Sequence, residues 1–131
     1  MMPETNPSTS LSQIGQISMN ARDLPRSVKF YRDSLGMRFL FEVPKMAFFD
    51  CAGIRLMLSL PEKPEFDHPG SILYYRVPEI QEAHRALSAR GVKFEGEPHR
   101  VARLADHDLW MAFFRDSEQN LLALMSEMPH S

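Results

Sequence analysis

Residues 28–39 read VKFYRDSLGMRF, and residues 83–94 read AHRALSARGVKF. The second stretch restates the first at an offset of 55 positions. Val28 falls on Ala83, Gly36 on Gly91, Arg38 on Lys93 and Phe39 on Phe94, with Ala21 upstream falling on Arg76. Each copy is an amphipathic helix closed by a glycine, then a small apolar residue, a basic residue and a phenylalanine. Glycine just past a helical run supplies the left-handed conformation that ends a helix. Further on, Phe48-Phe49 followed by Leu56-Met57-Leu58 is echoed by Phe113-Phe114 followed by Leu122-Ala123-Leu124. Self-similarity at a fixed period marks a duplicated structural unit.

Outward from these helices, each copy has the same elements in the same order. Residues 14–21 alternate, with Gln16, Ser18 and Asn20 on one side and Ile17, Met19 and Ala21 on the other, the pattern of a half-buried strand. Asp23 offers a helix N-cap and Pro25 suits the first turn. Leu24, Val28, Tyr31 and Leu35 then recur at helical spacing up to Gly36. Strands are expected at 37–43, 46–51 and 54–60, with turns at Pro44-Lys45 and Ala52-Gly53. In the second copy a strand at 72–77 leads to a helix at 79–90. Strand-like runs follow at 92–94, 98–104, 109–115 and 121–125, with a turn at 116–120. The fold class is therefore α+β, two βαβββ modules. Residues 1–12 form a polar tail and 13–127 one domain, made of module one at 13–60, a proline-rich linker at 61–70 (PEKPEFDHPG) and module two at 71–127. Residues 128–131 are a short tail.

Strand parity assigns faces. Leu56, Leu58 and Leu60 alternate with Arg55, Met57 and Ser59, and Leu73, Tyr75 and Val77 alternate with Ile72, Tyr74 and Arg76. The more apolar sets belong under the helices. The mixed sets line the other face, and two such faces would form a cup with an apolar wall and a few polar groups, suited to a small molecule.

Composition narrows the function classes. The chain has 131 residues, 44% hydrophobic and 24% charged, enough for one domain with a real core. A net charge of −2 without a basic run argues against nucleic acid and anionic membrane partners. The lone Cys51 excludes an intramolecular disulfide and fits a reducing interior. With no apolar run near the length of a membrane span and no apolar leader after Met1, a cytoplasmic protein is expected.

Three stretches resemble a known family. Residues 16–24 running into SVKFYRDSLG at 27–36 look like the opening strand and "FY…LG" helix end of the vicinal oxygen chelate superfamily, which holds glyoxalases, bleomycin-resistance proteins and extradiol dioxygenases. Residues 71–77 stand where that fold opens its second module. Residues 110–124 (WMAFFRDSEQNLLAL) resemble its closing "FxDPDGNxxEL" hairpin, with Ser117, Glu118 and Gln119 in place of Pro, Asp and Gly. The resemblance implies a cup and, in many members, one divalent metal held by four residues. Those positions fall here on Gln16, Met57, Ile72 and Ala123. A glutamine oxygen can ligate; isoleucine and alanine have no donor atom, and a thioether is soft and weak. No metal site and no cofactor are expected.

Five histidines, His68, His84, His99, His107 and His130, form no tight ligand pair. Residues 98–110 (PHRVARLADHDLW) are the most distinctive stretch. Parity puts His99, Val101 and Arg103 on one face, and resemblance to the fosfomycin-resistance thiol transferases puts Arg103, His107, Met111 and Phe113 in the cup. A guanidinium beside an imidazole could hold an anionic or carbonyl group; equally, both could be solvated loop residues. Phe48, Tyr74, Trp110, Met111 and Phe113 could form an aromatic wall or simply pack the core. The expected binding set is Gln16, Phe48, Met57, Ile72, Tyr74, His99, Arg103, His107, Met111, Phe113 and Ala123, with His107 the one candidate acid–base residue. The expected function is metal-free binding of a small, partly apolar organic molecule, as in sequestering bleomycin-resistance proteins. The alternative is a lyase, isomerase or dioxygenase-like enzyme using His107 or an unorthodox metal site. The resemblance also implies a homodimer, since cups in this family are often completed by a second chain.

Overall fold

The computed structural model describes residues 14–64, 67 and 70–130; the tail at 1–12 and His68 lie outside them. The elements run β1 (Gln16–Asn20), α1 (Leu24–Lys29), a π-helical turn (Phe30–Ser34), β2 (Arg38–Val43), β3 (Met46–Cys51) and β4 (Ile54–Ser59). Then come β5 (Leu73–Arg76), α2 (Ile80–Ala89), β6 (His99–Arg103), β7 (Asp108–Arg115) and β8 (Leu121–Met128). They build two four-stranded sheets, ordered β1-β4-β3-β2 and β5-β8-β7-β6. In each, the first strand pairs parallel with the fourth and the rest are antiparallel. The duplication read from the helices is thus a duplicated topology. The two repeat glycines share a backbone state, Gly36 at φ 70° and Gly91 at φ 93°, which costs glycine little and other residues more. The two repeat phenylalanines share a packing role: Phe39 lies 5.5 Å from Phe49, and Phe94 lies 5.2 Å from Phe114.

Asp23 caps α1, accepting the Arg26 N–H at 3.2 Å, with Pro25 in the first turn. The expected regular helix to Leu35 instead widens after Lys29, where the Leu35 N–H bonds the Phe30 carbonyl five residues back. Tyr31 in this wide turn is fully buried, and its hydroxyl donates to Asp116 Oδ2 at 2.7 Å. Burial pushes the Tyr31 hydroxyl pKa well above its ordinary value, and the Asp116 charge adds to the shift. The expected strand at 92–94 is only a single bridge, Phe94 to Phe114, because Gly96 at φ 154° and Pro98 break the ladder before β6. β8 runs to Met128, three residues past the expected Met125.

The helix-side faces of both sheets share one core. Met19, Phe49, Leu56 and Leu58 from module one join Ile80, Phe114, Leu122 and Leu124 from module two. The opposite, open faces carry the mixed residues, as parity expects. The modules are tied by the β7–β8 turn. Asp116 accepts the N–H groups of Glu118 and Asn120 at 2.8 Å each, and Asn120 Nδ2 reaches the carbonyl of Asn20. Among the described residues, no helix is long and apolar enough to cross a membrane.

Candidate functional site

Register brings three expected residues together on the open face of the first sheet. Met57 on β4 lies opposite Ser18 on β1 and Phe48 on β3, while Gln16 stands two residues before Ser18 on the same face. Gln16 Nε2 lies 3.7 Å from Met57 Sδ. Its Oε1 accepts from Nε of Arg55 at 2.9 Å. The Arg55 guanidinium carbon sits 5.5 Å from the centroid of the Phe48 ring, within cation–π range. Phe48 is itself stacked on Phe41 at 4.6 Å.

Beside this cluster is a cavity of about 820 Å³. Ile14, Met46 and Met57 give it an apolar wall, Gln16, Ser18 and Ser59 supply neutral polar groups, and Glu62 and Lys63 bring one charge of each sign. Gly70 at the end of the linker, with Ser71 and Leu73 of module two, closes it on the other side. Unbranched methionine side chains make such a wall adaptable.

Other expected residues stand elsewhere. Ile72 lines a second, more polar cavity of about 540 Å³ together with Arg22, Asp67 and Arg115. There Arg22 is held by Asp67 and Arg115 by Glu95. Tyr74 meets Phe113 edge-on at 6.0 Å, and both lie opposite Ala123, which is fully buried. Met111 pairs with His99 on β6 and with Met125 on β8. These form a separate aromatic patch on the open face of the second sheet. The His99 ring Nδ1 is 3.2 Å from the Glu97 carbonyl oxygen.

Arg103 differs from the expected placement. A bulge at Val101 shifts the β6–β7 register, so Arg103 pairs with Asp108 on the helix side rather than sharing a face with His99. Its Nη1 lies 3.8 Å from the buried Asp108 carboxylate, which Arg100 also approaches at 3.6 Å. His107 sits in the tight β6–β7 turn, closed by the Leu104 N–H to the His107 carbonyl at 2.8 Å. Its Nδ1 is 2.7 Å from Asp106, and its Nε2 is 4.0 Å from Glu127. The Asp106 carboxyl is held below its ordinary value by that hydrogen bond. Arg103 and His107 therefore do not form a shared clamp.

The four positions that the resemblance assigns to a metal do not make a donor set. Gln16 carries the one hard donor oxygen, and that oxygen already accepts from Arg55. Met57 offers only a thioether, and Ile72 and Ala123 offer nothing. Arg55 brings a cation to this cluster. Its signal was present in the alternation Arg55-Met57-Ser59, which puts a cation on the same face as Met57.

The profile of the Glyoxalase/Bleomycin resistance protein/Dioxygenase superfamily matches residues 13–124. No curated protein matches the chain. Among solved structures, the lactoylglutathione lyase of Agrobacterium tumefaciens is 22% identical with a TM-score of 0.73, covering 88% of this chain and 93% of that one. A superfamily member from Sphaerobacter thermophilus is 23% identical at a TM-score of 0.73, covering 89% and 98%. An integron cassette protein from V. cholerae is 17% identical at a TM-score of 0.74, covering 89% and 96%. At these identities the likeness is one of fold.

Proposed function

This chain belongs to the glyoxalase/bleomycin resistance protein/dioxygenase superfamily, and from that premise we propose that it binds a small, partly apolar organic molecule without a divalent metal. The observation that carries this reading is the 820 Å³ cavity, with its methionine-rich wall and its neutral polar groups Gln16, Ser18 and Ser59. Concave sites of this size with an apolar lining and a few convergent polar groups are where proteins hold small ligands.

Native mass spectrometry of the purified protein tests it. The expected result is an organic adduct that is released unchanged on denaturation, with metal far below one ion per chain. Near-stoichiometric nickel, zinc, manganese or iron, removed by chelator together with an activity, would overturn the metal-free reading.

A second reading, a lyase- or isomerase-like enzyme, is favoured by one feature: His107 lies between the carboxylates of Asp106 and Glu127. An imidazole so placed can take and return a proton. Recovery of a chemically altered ligand, abolished by His107→Ala, would support it over sequestration.

We place the protein in the cytoplasm as a homodimer. The exposed apolar side chains on the open faces, Phe41, Val43, Ile72 and Tyr74 among them, support a second copy covering them. A monomeric mass by sedimentation at micromolar concentration would refute the dimer.

A further inference from the structure

The arginines at turns and strand ends are largely consumed by carboxylates: Arg22 by Asp67, Arg26 by Glu118, Arg103 by Asp108 and Arg115 by Glu95. Arg55 is not. It is exposed on the open face, and among the described residues it takes part in no ion pair. Its cross-strand neighbour Asp50 could have neutralised it, since the two are register partners on β3 and β4. Asp50 instead turns one carboxylate oxygen to the Gly53 N–H at 3.1 Å, closing the β3–β4 turn.

Arg55 is nevertheless held in place. Nε is committed to Gln16 Oε1 at 2.9 Å, and the guanidinium stands over the Phe48 ring at 5.5 Å. Gln16 is braced in turn against Met57. These contacts use one N–H and one face of the guanidinium, and they leave the two Nη groups for a ligand. That remaining edge is the planar fork that matches a carboxylate with two parallel hydrogen bonds. Gln16 and Met57 line the 820 Å³ cavity, with Lys63 as a cation in the same lining, and Arg55 stands beside that wall against Gln16. The charge is permanent, so it needs none of the donors that a metal would require here.

We propose that Arg55, positioned by Gln16 and Phe48, is the anion-recognising group of the site, and that the ligand is an organic acid whose carboxylate meets Arg55 while its apolar body lies on Met57 and Met46. This rests on the ligand-binding reading above and adds the charge class of the ligand. Without the brace from Gln16 the guanidinium would lose its fixed direction, so Gln16 acts as a positioning residue.

The test uses cinnamate and its neutral isostere cinnamamide, titrated into protein carrying isotope-labelled methionine methyl groups. The Met57 methyl resonance reports occupancy of the cavity. Cinnamate is expected to bind about tenfold tighter than cinnamamide, as one charge-assisted pair allows, and to weaken with added salt. Arg55→Gln should erase the difference by weakening cinnamate far more than cinnamamide; Arg55→Lys should keep part of it. Gln16→Ala should reduce the acid preference without reversing it. Equal affinities for acid and amide in the unaltered protein, or a preference that survives in Arg55→Gln, overturn the Arg55 assignment and leave the cavity reading standing. No response at Met57 to either compound overturns the cavity reading, and the assignment falls with it.

Discussion

The Glu118 carboxylate, in the turn between β7 and β8, accepts the backbone N–H of Asp23 at 2.8 Å, from 95 residues further along the chain. Ser27 Oγ and Arg26 Nη2 reach the same oxygen at 3.4 Å. A carboxylate at this place satisfies an N–H at the start of α1 and complements the positive end of the helix. The first module's helix is thus finished by the second module's last turn.

Glu118→Ala should therefore lower stability by about 1–2 kcal/mol, the cost of leaving such donors unmet. Burial works to raise the Glu118 carboxyl, and the N–H groups of Asp23 and Arg22 with the Arg26 charge outweigh it, leaving it below its ordinary 4.5. A carboxyl lowered by folding stabilises fully above its unfolded value and stops doing so as pH falls through its folded one. Urea melts of the unaltered protein and Glu118→Ala should converge in acid and stand apart at neutral pH; a pH-independent gap would contradict the assignment.

Gln119 follows at φ 69°, in the left-handed region. Glutamine is disfavoured there and glycine is not. Gln119→Gly should raise stability by up to about 1 kcal/mol, the strain relieved less the added freedom of the unfolded chain. A lower melting temperature would show that the Gln119 side chain contributes more than its backbone costs.

His130 pins the segment after β8 to the β6–β7 turn. Its Nδ1 is 2.8 Å from Asp108 Oδ1 and its Nε2 is 3.3 Å from the Ala105 carbonyl oxygen. Both partners are acceptors, so only the protonated ring can donate to both. The hydrogen bond to Asp108, then that to Ala105, raises the ring above its ordinary 6.5. Stability from this contact is complete below 6.5 and is lost as pH rises through the raised value. NMR titration should show an elevated His130 pKa that falls in Asp108→Asn; an unchanged value in that variant would contradict the contact.

Arg103→Ala should leave cinnamate affinity unchanged, because Arg103 faces the helix side. It should cost less than about 1 kcal/mol of stability, since the Arg103 side chain is 54% exposed and Arg100 still serves Asp108. A loss of binding in this variant would return Arg103 to the site.

The fold was legible because the repeat carries its own punctuation. Gly36 and Gly91 end helices, and two-residue parity sorts each long strand into a core face and an open face. The same parity failed at Arg103 because nothing in PHRVAR marks Val101 as a bulge: it is β-branched and sits in an otherwise regular run. Glu118 was equally hidden. Its partners are near residue 23, and no local pattern reports a contact across so much chain. For the proposed site, the shared face of Gln16 and Met57 was legible by position, and Arg55 stood in plain alternation with Met57. A search for metal donors gives weight to nitrogen and carboxylate ligands, and a guanidinium is not one.

The bulge at Val101 has a counterpart. On β2 the register shifts between Phe39 and Phe41, so one edge strand of each sheet, β2 or β6, carries one extra residue, at Leu40 or Val101. These strands also expose apolar side chains, Leu40, Phe41 and Val43 on one and Val101 on the other. A straight edge of that composition would template fibril growth, each new chain adding its strand to the last. An interrupted ladder presents its free N–H and C=O groups out of step with any regular strand. The chain can therefore keep exposed apolar side chains on these two edge strands without inviting its neighbours to extend the sheet there.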